Sequence, residues 1–116
     1  MKILIMENEQ ADLEYLIGIV EECGHEVECA DRDRGWWKTF SATTKGFDFV
    51  VTGTGMTGFK NYDLIKRVLA KNADQRIVMI GGDMEEDYAW FPHAIRSKVD
   101  FLPRAFNPHE LEALIN

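Results

Sequence analysis

The chain has 116 residues, 46% of them hydrophobic, and a formal net charge of −7, which suits one domain with a single core and leaves no room for a second. That charge argues against binding a nucleic-acid backbone, which needs clustered Lys and Arg. No run approaches the roughly 20 apolar residues that span a bilayer, and the apolar stretch after Lys2 is too short for a signal peptide, so the expected location is the cytoplasm.

Short apolar runs alternate with segments of helical periodicity five times, the pattern of a parallel sheet covered by helices on both faces. The expected class is α/β, as one domain over residues 1–116. Lys2 to Met6 is the first strand; Asn8 can cap a helix with Leu13, Leu16, Ile17 and Val20 on one stripe, ended by Gly24. His25 to Cys29 is the second strand, and Asp31 or Asp33 can cap a helix carrying Trp36, Trp37 and Phe40, closed by Gly46. Phe47 to Thr52 is the most apolar run and belongs at the centre of the sheet, buried on both faces.

After a glycine-rich loop, Asn61 is expected to cap a helix with Leu64, Ile65, Val68 and Leu69 inward, and Arg76 to Ile80 forms a fourth strand before Gly81 and Gly82. Tyr88, Phe91, Ala94 and Ile95 have helical spacing, but Pro92 cannot donate its backbone hydrogen bond. That helix either bends there or starts late, with Pro92 in its first turn. Asp100 to Pro103 is a short last strand, and Asn107 caps a final helix with Leu111, Leu114 and Ile115 inward.

Cys23 and Cys29 form no CxxC pair and no zinc pattern with His25, His93 and His109. Reduced thiols and no metal or cofactor are expected. In an open parallel sheet, functional groups gather outside the carboxyl ends of the strands, which points to Glu7 and Asn8, to 52–58, to Gly81 and Gly82, and to Arg104 and Ala105.

At these positions the sequence resembles the CheY-like response-regulator receiver family over its whole length. The resemblance is carried by KILIMENEQADLEYLIGIVEECGHEVECA, FDFVVTGTGMTG, RIVMIGG and, most specifically, DFLPRAFNPHEL. It implies a flavodoxin-like five-stranded sheet of order 2-1-3-4-5. It also implies functional positions, and all five of these are altered here. The acidic pair that holds magnesium falls on Glu7 and Asn8, the phosphate-accepting aspartate on Gly53, the reporting Ser or Thr on Gly81, and the lysine on Arg104. In the last stretch Phe101 matches the aromatic switch residue and Ala105 the proline, while Phe106, Pro108, Glu110 and Leu111 keep the pattern.

An acyl phosphate needs a carboxylate oxygen as nucleophile, and Gly53 has no side chain. Magnesium, which favours carboxylates in near-octahedral geometry, is compromised by Asn8 and by the longer Glu7. A slipped register does not rescue the site: Thr52 and Thr54 are not acids, Asp48 lies roughly 16 Å back along an extended strand, and Asp63 is inside the next helix. Arg104, with a planar guanidinium suited to carboxylates, is expected to pair with Glu7. The expectation is a degenerate receiver that is not an enzyme.

Gly53, Gly55 and Gly58 also spell GxGxxG after a strand, nominally a dinucleotide fingerprint. The motif follows the third strand instead of the first, its helix is expected only at Asn61, and Asp74 precedes the next strand where the ribose-binding acid should follow it. An anion or small-ligand sensor built on this loop is therefore the alternative to a protein-interaction module.

For the module, the receiver resemblance implies a contact face of fourth helix, fifth strand and fifth helix. Trp90, Phe91 and Phe101 are its candidates, the partners being signalling proteins, a fused output domain or a second copy. Trp36 and Trp37 point about 100° apart on a helix, so one of them should be at least partly exposed.

Overall fold

The computed structural model describes residues 1–7, 10–30, 35–42, 46–53, 58–81, 91–103 and 106–115, with residues 58–61 described by their backbone alone. Five strands, β1 (Lys2–Met6), β2 (Glu26–Ala30), β3 (Phe49–Gly53), β4 (Ile77–Ile80) and β5 (Val99–Leu102), form one sheet. Every pairing is parallel and the order is β2-β1-β3-β4-β5. The helices are α1 (Gln10–Glu22), α2 (Trp36–Ser41), α3 (Gly58–Lys71), α4 (His93–Arg96) and α5 (Pro108–Ile115). The α/β class, the parallel sheet and its strand order are as the sequence and its resemblance imply.

The central strands are buried on both faces, and β3 is buried at every position. Alternate residues therefore feed two cores. Leu4, Met6, Val50, Ile77, Met79 and Val99 pack with α2, α3 and Phe91 on one face. Ile3, Ile5, Phe49, Val51, Val78 and Ile80 pack with α1 and α5 on the other. Each core buries whole Ile, Leu, Val and Phe side chains, each contributing about 1.5–3 kcal/mol.

Gly24, at φ +86, ends α1 as expected. Its amide bonds the Glu21 carbonyl at 2.9 Å and the His25 amide bonds that of Val20 at 3.4 Å, the paired closure that a left-handed residue after a helix makes possible. Asn107 caps α5 reciprocally: the Glu110 amide donates to Asn107 Oδ1 and the Asn107 amide to Glu110 Oε1, both at 3.2 Å.

Several boundaries differ from the sequence reading. The N-cap of α2 is Gly35, at φ +68 with no side-chain cap; the expected caps Asp31 and Asp33 lie outside the described residues. α3 begins at Gly58, which places Asn61 inside the helix. β3 begins at Phe49 because the backbone of Phe47 is taken by the Gln75 side chain instead of a neighbouring strand. The strands β2, β4 and β5 start within a residue of expectation. Pro92 is the N-cap of α4, with ψ 145, so it stands before the first turn instead of in it and no continuous helix passes through it; the start near Glu85 lies outside the described residues.

Candidate functional site

The ends of β1, β3 and β4 place three of the singled-out residues side by side. Met6 pairs with Thr52 and Gly53 with Ile80, so Glu7, Gly53 and Gly81 follow one another across the carboxyl edge of the three central strands. Asn8, Gly55, Arg104 and Trp90 lie outside the described residues, and with them the expected pairing of Arg104 with Glu7. Asp48 is at the opposite end of the sheet, as expected, where it accepts the Lys2 amide at 2.6 Å. Asp63 is exposed on α3.

The two glycines differ in what their backbone demands. Gly81 has φ +92, a region that strains L residues, and its buried amide donates to the Leu102 carbonyl at 2.8 Å, extending the ladder to β5. The chain at this point is built for glycine. Gly53 is buried within β3 and does not have positive φ, so its backbone would accept a side chain. Beside it, Thr52 is fully buried and its hydroxyl donates to the Gly53 carbonyl at 3.2 Å.

Glu7 is only 7% exposed. It lines a cavity of about 120 Å³ with Asp12, Tyr15, Leu16, Ile80 and Phe106, between the sheet, α1 and the segment entering α5. Tyr15 and Phe106 meet there with ring centroids 5.9 Å apart. Gly53 and Gly81 are not among its described lining residues. Sequence reasoning missed Asp12 and Tyr15. They flank the inward stripe of α1, and only the seating of that helix against β1 turns them toward Glu7.

The magnesium that the receiver resemblance implies is a poor match for this donor set. Among the described residues no three His, Cys, Asp or Glu side chains converge, and the edge of the sheet offers the carboxylate of Glu7 beside a Gly53 that offers none. Two carboxylates and a phenol around the cavity also make it a poor seat for an anion. The start of α3 at Gly58 removes one objection to dinucleotide binding, since the helix does begin at the last glycine of the motif. The objections from strand position and from Asp74 remain, because the motif follows the central β3.

The candidate contact aromatics are largely core. Phe91 is 3% exposed and Trp36 6%, which corrects their assignment to an interaction face. Phe91 packs against Tyr62 at 5.1 Å and Phe101 at 6.3 Å, and Phe101 is half-buried. Burial wins because Phe91 joins the core between β4, β5 and α3. Of the tryptophan pair, Trp37 is the partly exposed one, as the helical geometry requires.

Among the described residues no helix is long and apolar enough to cross a membrane. No protein-family model matches the sequence, and no curated protein matches it. Solved structures do. The receiver domain protein of Clostridium thermocellum superposes with TM-score 0.83 at 19% identity, over 99% of this chain and 90% of that one. The response regulator TrrA of Thermotoga maritima, in complex with Mg(2+)-BeF, gives 0.78 at 19% over 98% and 95%. The chemotaxis protein CheY4 of Vibrio cholerae gives 0.81 at 18% over 98% and 94%. The chain therefore has the fold of response-regulator receiver domains.

Proposed function

We propose that this chain is a receiver-type domain of two-component signalling that works without phosphorylation, as a module that binds other proteins. The observation that carries the reading is Gly53: it occupies the end of the central strand, buried beside Glu7, where the receiver resemblance requires a nucleophilic carboxylate. Phosphoryl transfer has no acceptor oxygen there, so the chain is proposed not to be an enzyme, and its output is proposed to come from its surface. Partners are signalling proteins or an output domain, and association of two copies through α4, β5 and α5 belongs to the same reading.

An amide NMR titration with magnesium and then beryllofluoride tests it. No movement at Glu7, Gly53 or Gly81 is expected. Saturable shifts centred on those three would overturn the reading.

A second reading, a small-ligand sensor, is favoured by the cavity beneath Glu7. Its carboxylates suit a small organic cation better than the anion or nucleotide that a glycine loop suggests. Titration with methylammonium and with inorganic phosphate separates the two, since only the former is expected to move Asp12 and Tyr15 under this reading.

A further inference from the structure

Among the described helices, charge is divided by the sheet. α1 and α5 carry Asp12, Glu14, Glu21, Glu22, Glu110 and Glu112 and no Lys or Arg. On the other face the described side chains of α2 and α3 include Lys38, Lys66, Arg67 and Lys71 against Asp63 alone. In a chain of net charge −7, this concentration of cations on one pair of helices is the feature that the fold and the edge of the sheet leave unused.

Arg67 organises that face. Its guanidinium lies 4.7 Å from the ring centroid of Trp37 and 5.2 Å from that of Trp36, while the two indoles meet edge to face at 5.5 Å. Stacking on the rings holds the guanidinium plane but leaves its N–H edge available, so a carboxylate can be gripped in two-point fashion with little loss of rotamer freedom. Lys71, one turn further on, shares this flank of α3. Arg67, Lys71 and Lys38 are exposed, and among the described residues none of them is paired with a carboxylate. A half-buried Trp beside an ordered Arg is the composition that dominates binding energy at protein interfaces.

We propose that the α2–α3 face is a docking surface for an acidic segment of a partner protein, with Arg67 and Lys71 receiving its carboxylates and Trp37 an apolar side chain. The proposal rests on the reading of the chain as a protein-interaction module and gives that module a partner chemistry. A second copy is the poorer occupant. Its acidic α1–α5 face lies across the sheet from its basic one, so pairing the two runs head to tail without closing, between chains that repel at −7 each. Nucleic acid is opposed by the same net charge.

The test is an amide NMR titration of the full chain with three probes: a Glu-rich helical peptide bearing one Leu per turn, its Lys-rich counterpart, and a thymidine oligonucleotide. The acidic peptide is expected to shift Trp37, Arg67 and Lys71 saturably and to weaken with salt. Combining Arg67→Glu with Lys71→Glu is expected to reduce its affinity about tenfold or more, and Glu112→Gln on the opposite face to leave it unchanged. Should the double variant unfold, Lys71→Glu alone, in an exposed last turn, carries the same sign.

Shifts scattered over the surface, equal binding of the oligonucleotide, or self-association in sedimentation that Arg67→Glu abolishes would each overturn the proposal. None of these outcomes depends on magnesium or beryllofluoride, so failure of this surface is distinguishable from failure of the underlying reading.

Discussion

Gln75 clamps the backbone of Phe47 from both sides: its Nε2 donates to the Phe47 carbonyl at 2.7 Å and its Oε1 accepts the Phe47 amide at 2.9 Å. The side chain is 2% exposed and also donates to the Arg76 carbonyl at 3.0 Å. It thereby joins the entry of β3 to the entry of β4 at the amino edge of the sheet, far from Glu7 and Gly53. Gln75→Leu keeps the volume but orphans a buried amide and a buried carbonyl, each costing about 1–3 kcal/mol. Urea unfolding is expected to show a loss of about 2–4 kcal/mol. A loss below about 1 kcal/mol would mean that water or a shifted backbone takes over the bonds.

Gly46 serves the same clamp. It has φ +73, and a Cβ added there would stand 2.5 Å from both Asn72 Nδ2 and Gln75 Oε1. Gly46→Ala is therefore expected to cost about 1–3 kcal/mol, part of it backbone strain and part displacement of Gln75. Because the two sites share a contact, the cost should shrink when Gln75 is already Leu. Additive losses in the double variant would show that backbone strain and the Asn72 contact, not Gln75, are responsible.

How much of this was legible in the sequence depends on which physical signal each feature leaves. Continuous apolar runs make Ile3 to Met6 and Phe49 to Val51 readable as strands buried on both faces, and the Asn107, Pro108 and Glu110 triplet reads directly as a helix start. The glycines after the strands point to the carboxyl edge without any coordinates. Caps and strand starts that depend on distant groups were not readable. Phe47 looks like strand until Gln75, 28 residues on, removes its backbone from the ladder, and the burial of Phe91 depends on packing with distant Tyr62 and Phe101. Asp12 and Tyr15 came to the cavity through helix seating, which no local pattern records.

Cys29 gives a pH signature. Although the residue is exposed, neighbouring atoms shelter the sulfur, and that desolvation raises the thiol above its ordinary value, with Glu21 and then Glu28 adding to it. The folded chain thus keeps this proton to higher pH than the unfolded one. The associated stability is present below the unfolded thiol's value and is lost as pH rises through the folded one. Alkylation by iodoacetamide, followed by peptide mass, is expected to be slower at Cys29 than in the urea-unfolded chain at pH 8, and Glu21→Gln should speed it. Equal rates in folded and unfolded chains would contradict the shift.

Gly53 permits a constructive experiment, because its backbone does not have the positive φ that Gly81 has. Gly53→Asp alone is expected to leave magnesium binding weak. Combined with Asn8→Asp it supplies two further carboxylates near Glu7, and magnesium with beryllofluoride should then shift Glu7 and residue 53. If the folded double variant stays silent, the two added acids are not sufficient, and positions such as Gly81 also differ from what magnesium and beryllofluoride require.

The buried carboxylate of Glu7 offers the sharpest test of how the altered edge is held together. A carboxylate only 7% exposed is costly unless it is compensated, and the sequence supplies Arg104 where receivers carry a lysine. The expected relationship is an ion pair that keeps the edge ordered with no metal present. A double-mutant cycle with Glu7→Gln and Arg104→Met, followed by urea unfolding, is expected to give a coupling of about 1–3 kcal/mol, each single change costing more than half of the combined loss. The coupling should persist at high salt, because a buried pair is screened far less than an exposed one. Additive losses would mean that Glu7 draws its compensation from other groups lining its cavity and that Arg104 is a surface charge.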